Sequence, residues 1–105
     1  MPKPPQPSGS AKQLKEYLEI IANAQESQQG AARRWDIYKR AMNETQTDRW
    51  VAYLIDRGLM VGDNTNGYKL TPKGIIWLDL LREHADLVGA LTQELYGNRM
   101  RRLDR

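Results

Sequence analysis

The sequence predicts a mainly α, α+β chain: three helices, a two-stranded β-hairpin and a long last helix. Three observations carry that expectation. Apolar residues recur at three-and-four spacing in four separate segments, as they do on helices with one buried face. Residues 57–74, RGLMVGDNTNGYKLTPKG, read as a helix stop, two short strands around a polar turn, and a new helix start. The length of 105 residues suffices for one modest core and not for two.

The first helix opens at Ser10, whose hydroxyl and the Gln13 amide match a capping box. Leu14, Tyr17, Leu18, Ile21 and Ala24 form its inner face, and Gly30 is its stop. The second helix is expected from about Ala31 to Met42, with Trp35, Tyr38 and Ala41 or Met42 on one face. Thr45 followed by Asp48 marks the start of the third helix. Thr47, Trp50, Val51 and Leu54 give that helix a core sector, Thr45, Arg49, Tyr53 and Asp56 point outward, and Gly58 ends it. Only MNET separates the second and third helices, a sharp helix–turn–helix.

Leu59–Val61 and Tyr68–Leu70 are the expected strands around a turn rich in Gly, Asn and Asp. Two short strands alone are marginal in water, so Leu59, Val61 and Leu70 are expected to pack on the helices. Thr71 caps the last helix and Pro72 fills its first position, where the missing N–H costs nothing. Helical character then runs to about Tyr96. Trp77, Leu81, His84, Val88, Leu91 and Leu95 follow the a/d rhythm of a coiled coil. Such a helix is about 33 Å long, more than a small domain needs for its own base, and the surplus points to a homodimer. The domain order is therefore a disordered Pro-rich arm (1–9), a compact domain (10–76), a dimerisation helix (77–96) and a basic tail (97–105) that begins with a helix stop at Gly97-Asn98.

Composition narrows the function classes. There is no cysteine, which removes disulfides, thiolate nucleophiles and zinc–sulfur sites together. The N-terminal MPKPPQPSGS has no apolar run, so neither a signal peptide nor a membrane span is expected there, and a cytoplasmic location is. No enzyme, metal or cofactor is expected either. His84 is the only histidine and sits on an apolar stripe, no glycine-rich phosphate loop occurs, and the carboxylates are scattered. The formal charge of +3, from 16 basic and 13 acidic residues, is modest but clustered. RRWDIYKR at 33–40 and GNRMRRLDR at 97–105 each hold four basic residues and one acidic residue, enough to steer phosphates or simply to solvate helix faces.

The segment YLIDRGLMVGDNTNGYKLTPKGIIWLDLL resembles small archaeal winged helix-turn-helix regulators, in which Gly58-Leu59, the YKLTPKG stretch at 68–74 and the apolar helix after it find counterparts. The likeness extends from about Lys12 to Leu95 and is strongest over Trp50–Leu81. It implies a recognition helix over about 45–57, a wing over 59–71, double-stranded DNA as partner, nucleoid association, and a dimer formed by the last helix. In this chain Trp50 stands where the pattern has tyrosine, and the wing tip carries Asp63, Asn64 and Asn66 in place of Arg or Lys.

On that resemblance Thr45, Gln46, Arg49 and Tyr53 are the expected base-edge and groove residues. Arg49 suits guanine O6/N7, Gln46 suits adenine, and Thr45 or the helix N-terminus suits a phosphate. Arg33, Arg34, Lys39 and Arg40 on the preceding helix, with Lys69 and Lys73 beside the wing, are the expected backbone contacts, and Asn64 and Asn66 graze the backbone at the tip. The expected dimer seam is Trp77, Leu81, His84, Val88, Leu91 and Leu95. Two readings compete with a dimeric transcription regulator: a winged-helix protein-interaction adaptor and a non-specific chromatin-associated protein.

Overall fold

The computed structural model describes residues 11–103, with side chains described up to Gly89. The Ser10 cap and the 1–9 arm lie outside the described residues, as do the side chains of Leu91, Leu95 and the basic tail. Four helices and one antiparallel hairpin follow in the order α1 (Ala11–Glu26), α2 (Arg34–Ala41), α3 (Glu44–Asp56), β1 (Met60–Asp63), β2 (Gly67–Leu70) and α4 (Pro72–Leu103). The α4 assignment continues through Gly97-Asn98, where the sequence suggested a stop.

The core gathers the inner faces of all these elements. Tyr17, Leu18 and Ile21 of α1, Ile37 of α2, Trp50 and Leu54 of α3, Leu59 and Met60, Tyr68 and Leu70 of β2, and Leu78 of α4 are all buried. Trp50 stacks on Tyr17 at 4.3 Å between ring centroids and meets Tyr53 edge-on at 5.9 Å. Both are arrangements that aromatic quadrupoles favour. Thr47 is fully buried, and its hydroxyl donates to the Asn43 carbonyl at 2.8 Å; with it Trp50 and Leu54 of the expected α3 sector are buried and Val51 is half-buried, while Tyr53, expected to point outward, packs partly against the core.

The second helix differs from its expected start and face. Neither Ala31 nor Ala32 is helical: Ala31 lies in a bend and Ala32 in a β-bridge. Ala32 N–H donates to Tyr68 O at 2.8 Å, and Tyr68 N–H returns to Ala32 O at 2.7 Å, adding a one-residue bridge on the free side of β2. The helix begins only at Arg34, and Ile37, with Ala41 beside it, faces the core. Trp35 and Met42 are exposed. Over two turns a helix offers several apolar stripes, and the aromatic one outweighed the aliphatic one in the sequence although Ile37 is the side chain that the core accepts. Met42 closes α2 in the left-handed region at φ 55°, unusual for a residue with a Cβ, and its N–H donates to Tyr38 O at 2.7 Å.

Corrections of one or two residues follow further along. The α3 cap is Asn43, whose Oδ1 accepts from Gln46 N–H at 2.9 Å, rather than Thr45; only Met42 and Asn43 lie between the two helices. In the hairpin, Met60 pairs with Leu70 and Gly62 with Tyr68. Met60 rather than Val61 therefore faces inward, because a shift of one residue exchanges the two faces of a strand. Leu59 packs inward before the strand begins, its N–H still donating to Leu54 O at 2.9 Å. The last helix starts as expected: Thr71 Oγ1 accepts from Gly74 N–H at 3.0 Å and donates to Gly58 O at 2.6 Å. Gly74 lets α4 lie against the chain after α3, since a Cβ there would stand 2.1 Å from Leu59 O. Among the described residues no helix is long and apolar enough to cross a membrane.

Two outcomes test this packing. Ile37→Ala should cost about 2–5 kcal/mol, as truncations of buried aliphatic residues do, measured by chemical denaturation. Asp36 gives the second test. Burial pushes its carboxyl up, but the Arg33 N–H at 2.8 Å, the Gln29 amide at 2.8 Å and Lys39 outweigh burial and hold it below the ordinary carboxylate value. A carboxyl lowered by folding stabilises the native state above its unfolded value, near about pH 4, and that contribution fades as pH falls through the folded value. Asp36→Ala should therefore cost about 1 kcal/mol at neutral pH, the usual price of a lost helix cap, with the difference from wild type closing in acid melts.

Candidate nucleic-acid interface

Twelve residues are the expected DNA contacts, and the fold divides the seven cations among them into those already engaged and those left without an ion pair. The four on or beside α2 are engaged. Arg34 Nη2 donates to Glu44 Oε2 at 2.6 Å and to Asp48 Oδ1 at 2.8 Å, tying the start of α2 to the first turn of α3. Arg33 Nη1 donates to Thr65 O at the hairpin tip at 3.1 Å. Lys39 lies 3.6 Å from Asp36, and Arg40 Nε donates to Glu16 at 2.7 Å, with its guanidinium 6.0 Å from the Tyr17 ring centre.

These pairs do not count equally against a phosphate. Exposed ion pairs are worth about 0–1 kcal/mol, so the loose Lys39 contact yields readily to a phosphate. Arg34 is different: one guanidinium balances two carboxylates, and the local sum of charges is negative. The expected role of Arg34 as a backbone anchor is therefore the weakest of the four.

At the tip, Asp63 Oδ1 accepts from Thr65 N–H at 2.9 Å and Asn66 N–H at 2.7 Å, while Asn64 Oδ1 accepts from the Tyr68 hydroxyl at 2.7 Å. The Asn66 N–H and the other local donors hold the Asp63 carboxyl below its ordinary value, and burial raises the Tyr68 hydroxyl. Asn64 and Asn66 thus serve the turn itself. Their amides remain exposed, but the loop conformation uses them first.

The outer side of α3 is split by charge. Glu44 and Asp48 lie toward Arg34 and the hairpin, and each side chain of the pair is 70 % exposed. On the other flank, Arg49, Tyr53 and Arg57 stand at positions i, i+4 and i+8, one above another along the helix. Arg49 makes no ion pair among the described residues. The Arg57 guanidinium lies 5.4 Å from the Tyr53 ring centre, and its Nε is buried with no hydrogen-bond partner. Lys73, from the first turn of α4, donates to Arg57 O at 2.7 Å and lies 5.3 Å from the Trp77 ring centre. The result is a cationic ridge with aromatic rings between its charges. Lys69 is exposed on β2, Thr45 is exposed at the first turn of α3, and Gln46 is half-buried there.

Arg57 was missed in the sequence. Its spacing of four from Tyr53 and eight from Arg49 was visible, but the neighbouring Gly58 marked it as a helix end rather than as part of a face. Sequence pattern also placed Trp77 and Leu81 on a seam for a second copy. Both are half-buried against the chain's own core beside Leu78. Among the described side chains of α4, the exposed apolar ones are Ile75, Ile76, Leu80, Leu87 and Val88, and His84 is exposed between them.

No protein-family model matches the chain, and no curated protein or solved structure matches it.

Proposed function

We propose that this chain is a winged helix-turn-helix protein that binds double-stranded DNA as a homodimer and regulates transcription. The observation that carries the reading is the ridge of Arg49, Tyr53, Arg57 and Lys73, whose cations have no carboxylate partner among the described residues. It runs along the helix that follows a two-residue turn after α2, the position of a reader helix in helix-turn-helix proteins. In this reading α3 enters the major groove, Arg49 meets a base edge, Arg57 and Lys73 take phosphates, and β1–β2 is the wing. Lys69 and the loosely paired Lys39 add backbone contacts.

The dimer rests on α4. Ile76, Leu80 and Leu87, with His84 between them, fall on one stripe that the domain does not cover, and Leu91 continues the pattern in sequence. This seam lies beside the Trp77–Leu81 face that the core already uses.

A second reading has its own observation. Glu44 and Asp48 place negative charge at the start of α3, and Trp35 and Met42 expose apolar surface nearby on α2; both suit a protein partner better than a phosphate backbone. That reading is a protein-interaction adaptor with the same fold.

Duplex affinity measured against salt separates the two. For DNA binding, log affinity should fall against log salt by about 0.9 for each phosphate contacted. Arg57→Ala should reduce that slope by about 1, and Arg49→Ala should relax preference at one base position by about 1–3 kcal/mol. Arg34→Ala should leave the slope unchanged. Absence of duplex binding at low salt supports the adaptor. For the dimer, Leu80→Asp and Leu87→Asp should each yield monomers in analytical ultracentrifugation, while Ile75→Asp, off the stripe, should leave the mass unchanged.

A further inference from the structure

Trp35, Tyr38 and Met42 occupy positions i, i+3 and i+7 of one stripe on and just past α2, the spacing at which helices present anchors to a partner. Trp35 is 62 % exposed and Met42 72 %, and the Trp35 and Tyr38 rings stack with centroids 5.6 Å apart. Tryptophan, tyrosine and methionine are enriched where surfaces become covered, yet Ile37 does the packing for this helix. Tyr38 is half-buried between these two exposed side chains.

We propose that the proline-rich segment of this chain's own N-terminal arm, Pro2–Pro7, docks on the Trp35–Tyr38–Met42 stripe as a polyproline II strand. Three observations favour this occupant. The first is chemical. In MPKPPQP, Pro2 and Pro5 are three apart, and so are Pro4 and Pro7, which puts each pair on one edge of a helix with three residues per turn. Such strands dock on aromatic-lined surfaces and lose little entropy in doing so.

The second is reach. The Arg40–Glu16 pair holds the first half of α1 beside α2. From Ala11 to Glu16, and from Arg40 back to Trp35, the helix rise is about 7.5 Å each. Crossing from one helix to the far side of a neighbour packed 8–10 Å away brings the direct distance to about 25 Å. The ten residues before α1 span about 31 Å as polyproline II. The third is charge. Arg34, one turn before Tyr38, faces both Glu44 and Asp48 and leaves one negative charge uncompensated beside the rings. The arm carries Lys3 and no acidic residue.

The docking does not depend on DNA binding. It covers the apolar surface that favours a protein partner, so a partner for α2 has to displace the arm.

The full chain tests the proposal by NMR. The three indole N–H signals are assigned by single Trp→Phe substitutions, and the wild type is compared with a full-length Pro4→Ala, Pro5→Ala, Pro7→Ala variant whose folded domain is untouched. Docking predicts nuclear Overhauser contacts between the Trp35 indole and proline δ protons. In the variant these contacts should be lost and the Trp35 signal should shift toward free indole, with Trp50 and Trp77 unmoved. The wild-type contacts should persist on dilution. An identical Trp35 signal in both proteins, without proline contacts, overturns the proposal. So do proline contacts to Ala85 and Val88, in the groove between α1 and α4, or contacts that disappear on dilution and so belong to a second copy's arm.

Discussion

Two hydrogen bonds between Ala32 and Tyr68 govern much of the rest of this molecule. They fasten the segment after α1 to the free side of β2, so Ala32 is held in a β-bridge and α2 starts only at Arg34. That late start sets the rotation of α2 about its axis. Ile37 then reaches the core, Trp35 turns to the surface, and Arg33 is left close enough to the hairpin tip to donate to Thr65 O. Gly67 permits the approach: its φ of 84° suits glycine, and a Cβ would stand 2.8 Å from the Ala31 Cβ. A hairpin too short to be stable alone is thereby held along the free edge of β2, by Ala32 at Tyr68 and by the Gln25 side chain, whose Oε1 accepts from Leu70 N–H at 2.9 Å.

The same anchoring explains how charge is spent. Once α2 is placed, its four cations fall within reach of acceptors on α1, α3, the hairpin or their own helix, and each finds one. A basic segment that looked like a phosphate-binding strip becomes a set of ties between elements. Individually such ties add little stability, but Arg34 couples two helix starts through two carboxylates. Among the described cations that no carboxylate pairs, Arg49, Arg57 and Lys73 gather on one flank of α3 and the first turn of α4, while Lys69 stands apart on β2 and Lys12 on α1. Aromatic faces at Tyr53 and Trp77 support Arg57 and Lys73 there, as cation–π contacts do.

Much of the architecture was legible in the residues. Helix positions, the α3 core sector, the stop at Gly58, the hairpin and the Thr71-Pro72 start all follow from local signals whose mechanism is local: spacing of apolar side chains, glycine tolerance of positive φ, and a proline that needs no N–H. The misreadings share a different origin. Ala31-Ala32 looked helical because alanine favours helices, and the bridge to Tyr68, 36 residues away in the chain, has no local signature. Val61 and Met60 exchanged faces because strand register is set by pairing with Leu70, not by either strand alone. The Trp77–Leu81 stripe was read as a seam because periodicity shows that a face is apolar without showing what covers it; here α1 and Leu78 are part of the answer.

The sequence by itself therefore determined which segments are helical, where the chain turns and which few side chains on α3 form its inner face, since each depends on neighbours within a turn or two. Only the tertiary structure decided which of several apolar stripes enters the core and which cations keep a free face. Those outcomes depend on distances between segments far apart in the chain. An ion pair or a buried contact forms where two such segments meet, and no local pattern carries that information.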